Sequence, residues 1–133
     1  HTRTSKWLVD RMKRRWKKYP LLNHSKKFIL GYKDKRARQL LELDRQQLRM
    51  VISYLTGHGA FRKHLDTIGL PQANISCRFC GEDSETAEHL LCHCVTFEAS
   101  RIRILESAKP TPGVLNTLEI NQISSYIMKI DLV

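Results

Sequence analysis

Four cysteines lie within a stretch of 18 residues, with two of the chain's six histidines among them: Cys77, Cys80, His89, Cys92, His93 and Cys94. A Cys-x2-Cys pair on a tight turn presents two thiolates at one corner, and a short helix following it can supply two further ligands from its inner face. That is the construction of a closed tetrahedral zinc site, with Zn–S near 2.3 Å and Zn–N near 2.0–2.1 Å. Gly81 suits the turn, because glycine reaches positive φ without a Cβ penalty. A 133-residue chain that is 41% apolar can build only a modest core, so a metal staple would carry part of its folding free energy. Two disulfides would need an oxidising compartment, and the basic N-terminus has no apolar stretch behind it to act as a signal peptide. Thiol exchange by Cys77 and Cys80 lacks the βαβ setting of redox pairs. The cluster also has ligands to spare, which points to a structural metal rather than a catalytic one that keeps a position open for water.

With Cys77, Cys80 and His89 taken as three ligands, three residues compete for the fourth place. His93 is i+4 from His89 and Cys92 is i+3, both on the same face of a regular helix. Cys94 is i+5, which swings about 140° away unless the helix ends or distorts. The spacing alone leaves this choice open.

Charge is divided unevenly along the chain. Residues 1–49 hold 16 Lys/Arg against 4 Asp/Glu, a balance of +12, whereas residues 50–133 hold 7 against 9, a balance of −2. The basic third points to a polyanionic partner, nucleic acid above all. Ser5 to Tyr19 reads as a helix with Leu8, Met12, Trp16 and Tyr19 on one face and Pro20 ending it. Its basic residues are Arg11, Lys13, Arg14, Arg15, Lys17 and Lys18, expected to contact phosphates. Trp7, Trp16 and Phe79 are stacking candidates, and Arg78 is a further phosphate or base contact, against the plainer readings of packing and solvation.

The rest reads as mainly α. The stretch from Leu21 to Arg38 is expected to be a linker with one ordered piece at Lys26 to Leu30. Asp44 is a plausible N-cap for a helix from Arg45 to Thr56 with Leu48, Val51, Ile52 and Leu55 as its apolar stripe. Gly57-His58-Gly59 breaks it, and His58 is placed to bond the helix's last carbonyls. A helix from about Ala60 to Ile68 follows, with Gly69 as a left-handed cap. Ser84 or Asp83 is expected to cap the helix bearing His89, with Glu85 and Glu88 favouring its positive end. Helical pattern resumes from Phe97 to Ser107, Lys109 to Gly113 is a break, and Ile120, Ile123, Ile127 and Ile130 mark a last amphipathic helix. The expected organisation is a basic arm and linker at 1–43, a helical domain at 44–108 containing the metal site at 77–94, and a C-terminal amphipathic helix at 109–133. No apolar run approaches the roughly 18–20 residues that span a bilayer. His1 opens the chain without an initiator Met, so a piece of a longer protein is expected.

Leu55-Thr56-Gly57-His58-Gly59-Ala60-Phe61, His64-Leu65, Gly69-Leu70, Cys77-x2-Cys80, Glu85-Thr86-Ala87-Glu88-His89-Leu90-Leu91, Cys94, Phe97 and Arg101 follow one another in an order with a known counterpart. It resembles the C-terminal tail, after the ribonuclease H domain, of the reverse-transcriptase polyprotein of jockey/I-type non-LTR retrotransposons of animals. The resemblance runs from Ser5 to Leu105 and is specific between Leu55 and Arg101. It implies a CCHC zinc-knuckle-like motif on Cys77, Cys80, His89 and Cys94, which favours Cys94 as fourth ligand. It further implies an intracellular ribonucleoprotein, in nucleus and cytoplasm, and a module attached to reverse transcriptase, endonuclease and ribonuclease H domains.

None of those catalytic parts is legible here. Asp10, Asp34 and Asp44 lie in no paired-carboxylate setting for two-metal chemistry, and no phosphate loop, nucleophile elbow or His-Glu-x-x-His pattern occurs. The chain is therefore expected not to be an enzyme by itself, with no small-molecule substrate and no membrane. Two functions remain: a zinc-binding module that grips RNA or DNA, or a zinc-stapled docking domain for the ribonuclease H and polymerase domains or a protein partner. Glu82, Asp83, Glu85 and Glu88 make the finger itself unattractive to phosphates, so the arm is expected to supply most of the affinity.

Overall fold

The computed structural model describes residues 10–11, 23–29 and 33–132. Of the arm helix expected at Ser5–Tyr19, only Asp10 and Arg11 are described, and both are helical and exposed. Lys13, Arg14, Arg15, Lys17, Lys18, Trp7 and Trp16 lie outside the described residues.

The described residues are mainly helical. In chain order the α-helices are α1 (Asn23–Phe28), α2 (Asp34–Leu41), α3 (Arg45–Thr56), α4 (Arg62–Thr67), α5 (Glu98–Leu105), α6 (Pro112–Leu115) and α7 (Ile120–Asp131). Between α4 and α5 run the cysteine turn, a π-helical turn at His89–His93 and a 3₁₀ turn at Val95–Phe97. Extended pairing among these residues is confined to one antiparallel bridge, Ser76 to Ser84. No described helix is long and apolar enough to cross a membrane.

The ends of α3 are set by local chemistry. Asp44 accepts from the Gln47 N–H at 2.8 Å while the Gln47 side chain returns to the Asp44 N–H at 3.2 Å, a reciprocal cap that satisfies two orphan donors. Gly57 closes the helix at φ 76°, a conformation that only glycine adopts without strain. The imidazole that meets the terminal carbonyls belongs to His24, not His58. His24 Nε2 lies 2.8 Å from the Tyr54 carbonyl, whereas the His58 ring stacks on His64 with centroids 5.0 Å apart.

The core joins the two ends of the described chain. The C-terminal helix α7 packs on α3 and α5, and α1 packs on α3 and α6. Val51, Tyr54 and Leu55 of α3 share one buried cluster with Ile123, Tyr126, Ile127 and Ile130 of α7 and with Leu90, Leu91 and Leu105. The stretch read as a linker contains two helices. Phe28 of α1 is buried in this core, and Arg36 of α2 donates to the carbonyls of Leu118 at 2.7 Å and Leu115 at 3.1 Å. The basic composition concealed these anchors, because Lys27, Lys33, Lys35 and Arg38 are exposed while Arg36 among them turns inward. The expected break at 109–113 also contains the start of a helix. Thr111 caps it through a bond from the Val114 N–H, and Pro112 takes the first turn, where its missing N–H costs nothing.

Candidate metal centre

The Cys-x2-Cys turn is held by its own backbone. The Cys77 N–H donates to the Asp83 carbonyl at 2.7 Å, the Gly81 N–H to the Cys77 carbonyl at 2.8 Å, and the Glu85 N–H to the Ile75 carbonyl at 2.8 Å. Gly81 sits at φ 71°, the left-handed conformation that the turn requires. These bonds face Cys77 and Cys80 towards the turn that carries His89.

That second turn is where regular helix geometry fails. His89–His93 is π-helical, and the Cys94 N–H bonds back to the His89 carbonyl at 2.7 Å, an i to i+5 link. The wider turn returns residue i+5 towards the face of residue i, and the backbone becomes extended at Cys94. Cys77, Cys80, His89 and Cys94 consequently bring one donor atom each to within 4.8 Å of one another. Cys92 and His93 are not in the group. Cys92 points into the apolar core with no exposure, and burial pushes its thiol up to about 12. His93 is exposed.

Two of the donor separations are close to those of a tetrahedral ion, and the whole set lies within 4.8 Å. Cys77 Sγ and Cys94 Sγ are 3.8 Å apart, and Cys80 Sγ is 3.3 Å from His89 Nε2. Zinc–sulfur and zinc–nitrogen bonds at the tetrahedral angle put two sulfurs about 3.8 Å apart and a sulfur and nitrogen about 3.5 Å apart. With Nε2 facing the cluster, His89 Nδ1 lies on the side of Asp83 Oδ2, 3.9 Å away and beyond hydrogen-bond distance. The helix start is secured by Thr86, whose hydroxyl accepts from the His89 N–H at 3.0 Å. Ser84 and Asp83, the expected caps, belong instead to the extended edge of the turn.

The three thiols are unequal. Burial raises Cys77 to about 11, against N–H bonds from Cys80 and Phe79. At Cys80 burial also acts upwards, but the N–H groups of Glu82 and Asp83 and the neighbouring thiols outweigh it, so the net shift is downwards. Burial lowers His89, with Asp83 opposing, a direction that favours the neutral ring a metal ligand needs.

Arg78 and Phe79, expected to face nucleic acid, are engaged within the fold. Arg78 clasps Glu85 through Nε at 3.0 Å and Nη2 at 2.8 Å, and Nη2 also reaches the Ala60 carbonyl at 3.1 Å. Glu85 is only 1% exposed and takes a further ion pair from Arg62 at 3.8 Å. It braces the turn against α4 rather than serving a helix end. Phe79 is half-buried and meets Phe97 edge to face at 4.9 Å. Glu88 pairs with Lys27 of α1 at 3.2 Å.

Sequence reasoning missed the roles of Thr86, Arg101 and Tyr126, and gave Glu85 a helix-end role in place of its pairing with Arg78 and Arg62. For Arg101 a signal was present: Phe97, Arg101 and Leu105 recur every four residues, so the arginine shares the buried face of α5.

No protein-family model matches the chain, and no solved structure does. One curated relative is similar: 53 residues are 43% identical to the Retrovirus-related Pol polyprotein from type-1 retrotransposable element R1 2 of Nasonia vitripennis. The match takes in 40% of this chain and 12% of that polyprotein.

Proposed function

We propose that the chain is a non-catalytic zinc-binding module of a retrotransposon-type polyprotein, in which the metal staples the helical domain and the basic N-terminal segment grips RNA or DNA. The observation that carries it is the convergence of Cys77, Cys80, His89 and Cys94, whose donor atoms lie within 4.8 Å of one another. When bound there, zinc would supply a cross-link between the cysteine turn and the π turn. The similarity to an R1 Pol polyprotein supports a setting beside other polyprotein domains. The +12 balance of residues 1–49 supports a nucleic-acid partner for that segment, with Arg11, Lys13, Arg14, Arg15, Lys17 and Lys18 on phosphates.

A second reading, a docking domain for neighbouring polyprotein domains or a protein partner, is favoured by one observation: Arg78 and Phe79 are already occupied by Glu85 and Phe97. Binding of zinc-loaded and chelated protein to labelled single-stranded RNA across a salt series separates the two. A basic segment on six to ten phosphates loses roughly 10³–10⁵ in affinity between about 50 and 200 mM salt. A steep slope that survives chelation assigns binding to the basic segment and leaves zinc a staple. Absence of RNA binding with zinc loaded leaves the docking reading.

A further inference from the structure

Arg101 lies on α5 and is fully buried. Its Nε donates to the Ala108 carbonyl at 2.6 Å and Nη1 to the Tyr126 hydroxyl at 3.2 Å, while Nη2 is buried with no hydrogen-bond partner. No Asp or Glu among the described residues forms an ion pair with it. A guanidinium does not shed its proton in a protein, so this positive charge cannot escape burial by neutralising. An unpaired charge in a core is heavily penalised unless an opposite charge lies nearby.

The surroundings of Arg101 indicate where that charge is. Tyr126, which accepts from Nη1, donates its own hydroxyl to the Leu90 carbonyl at 2.5 Å, and Leu90 belongs to the π turn between His89 and Cys94. Arginine, tyrosine and π turn thus form one buried chain beside the cluster. Three thiolates and a neutral imidazole around a divalent zinc leave one net negative charge.

We propose that Arg101 is the buried counter-charge of the loaded cluster, a positioning residue whose guanidinium offsets the single excess negative charge of the three-thiolate, one-histidine set. The inference rests on the zinc reading above. With protonated thiols the cluster is neutral and Arg101 stands unbalanced, so loading the site relieves the arginine as much as the arginine supports the load.

The test is the zinc dissociation constant, by chelator competition, of the whole chain as wild type, Arg101→Lys and Arg101→Gln. Neither substitute can reproduce the paired bonds to Ala108 and Tyr126, so a purely structural role penalises both alike. A counter-charge role predicts that R101K stays within about threefold of wild type while R101Q weakens by on the order of tenfold or more. Equal constants for the two variants overturn the proposal. Should R101Q fail to fold, it is repeated in a Cys80→His background, whose zinc set carries no net charge. Folding with zinc there supports the proposal, and failure there overturns it. Wild type is the control that separates the two ideas: if it takes up no zinc, the zinc reading falls and this one with it, whereas zinc uptake with equal variants removes this one alone.

Discussion

Cys92 and Cys94 are both buried and only two residues apart, yet they serve different purposes. Cys94 turns towards Cys77 at 3.8 Å, while Cys92 behaves as a small apolar side chain in the core. Cys92→Ala is expected to keep one zinc per chain at a modest loss of melting temperature, whereas Cys94→Ala loses the ion. Metal content after dialysis checks both. Gly57 offers a second test, because a Cβ there would stand 3.0 Å from the His24 ring on a backbone at φ 76°. Gly57→Ala is expected to cost about 1–2 kcal/mol, read by denaturant unfolding, since both the strain and the contact oppose it. His24 itself is held below its ordinary 6.5 chiefly by burial, with the Tyr54 carbonyl and Glu88 opposing and Lys27 and His58 adding to the shift. The unfolded chain therefore takes up this proton before the fold does. The stabilisation is fully present above pH 6.5 and is lost as pH falls through the folded value. His24→Gln is expected to flatten the decline of melting temperature below pH 6.5, relative to wild type at matched zinc.

At the scale of elements, the π turn decides the site and the C-terminal helix decides the core. The reading of α3 from its apolar stripe and Asp44 cap agrees with the structure, because both signals are local and depend only on neighbours three or four residues away. The Cys-x2-Cys turn with its glycine was equally legible. Spacing alone did not yield the fourth cluster member, since a regular helix favours His93 or Cys92; the resemblance favoured Cys94, and a backbone departing from 3.6 residues per turn brings it round. The linker reading placed one ordered piece at Lys26 to Leu30, overlapping Asn23–Phe28, and missed Asp34–Leu41 for a different reason: Arg36 finds its partners 79 and 82 residues away, beyond the reach of periodicity. The helix α7 was visible in its isoleucines, but its partners α3 and α5 were not. Ile127, fully buried on α7, provides the test at this scale. Ile127→Ala is expected to cost about 2–5 kcal/mol in denaturant unfolding, and a smaller loss would mean that α7 is loosely attached.

Across the molecule, charge and metal are separated along the chain: the basic segment precedes a near-neutral half that holds the whole cluster. A fold of this size gains from a cross-link between its cysteine turn and its π turn, because metal binding there becomes folding free energy. The charge pattern predicts that reversing Arg14, Arg15, Lys17 and Lys18 to Glu flattens the salt dependence of RNA binding, while metal content stays at one per chain. An unchanged slope would move the binding surface to the second half. The account stands or falls on the centre itself, and X-ray absorption at the zinc edge of the loaded wild-type chain interrogates it most directly. Three sulfurs at about 2.3 Å and one nitrogen at about 2.0–2.1 Å are predicted. Two sulfurs with two nitrogens, or a shell of light ligands alone, would contradict it.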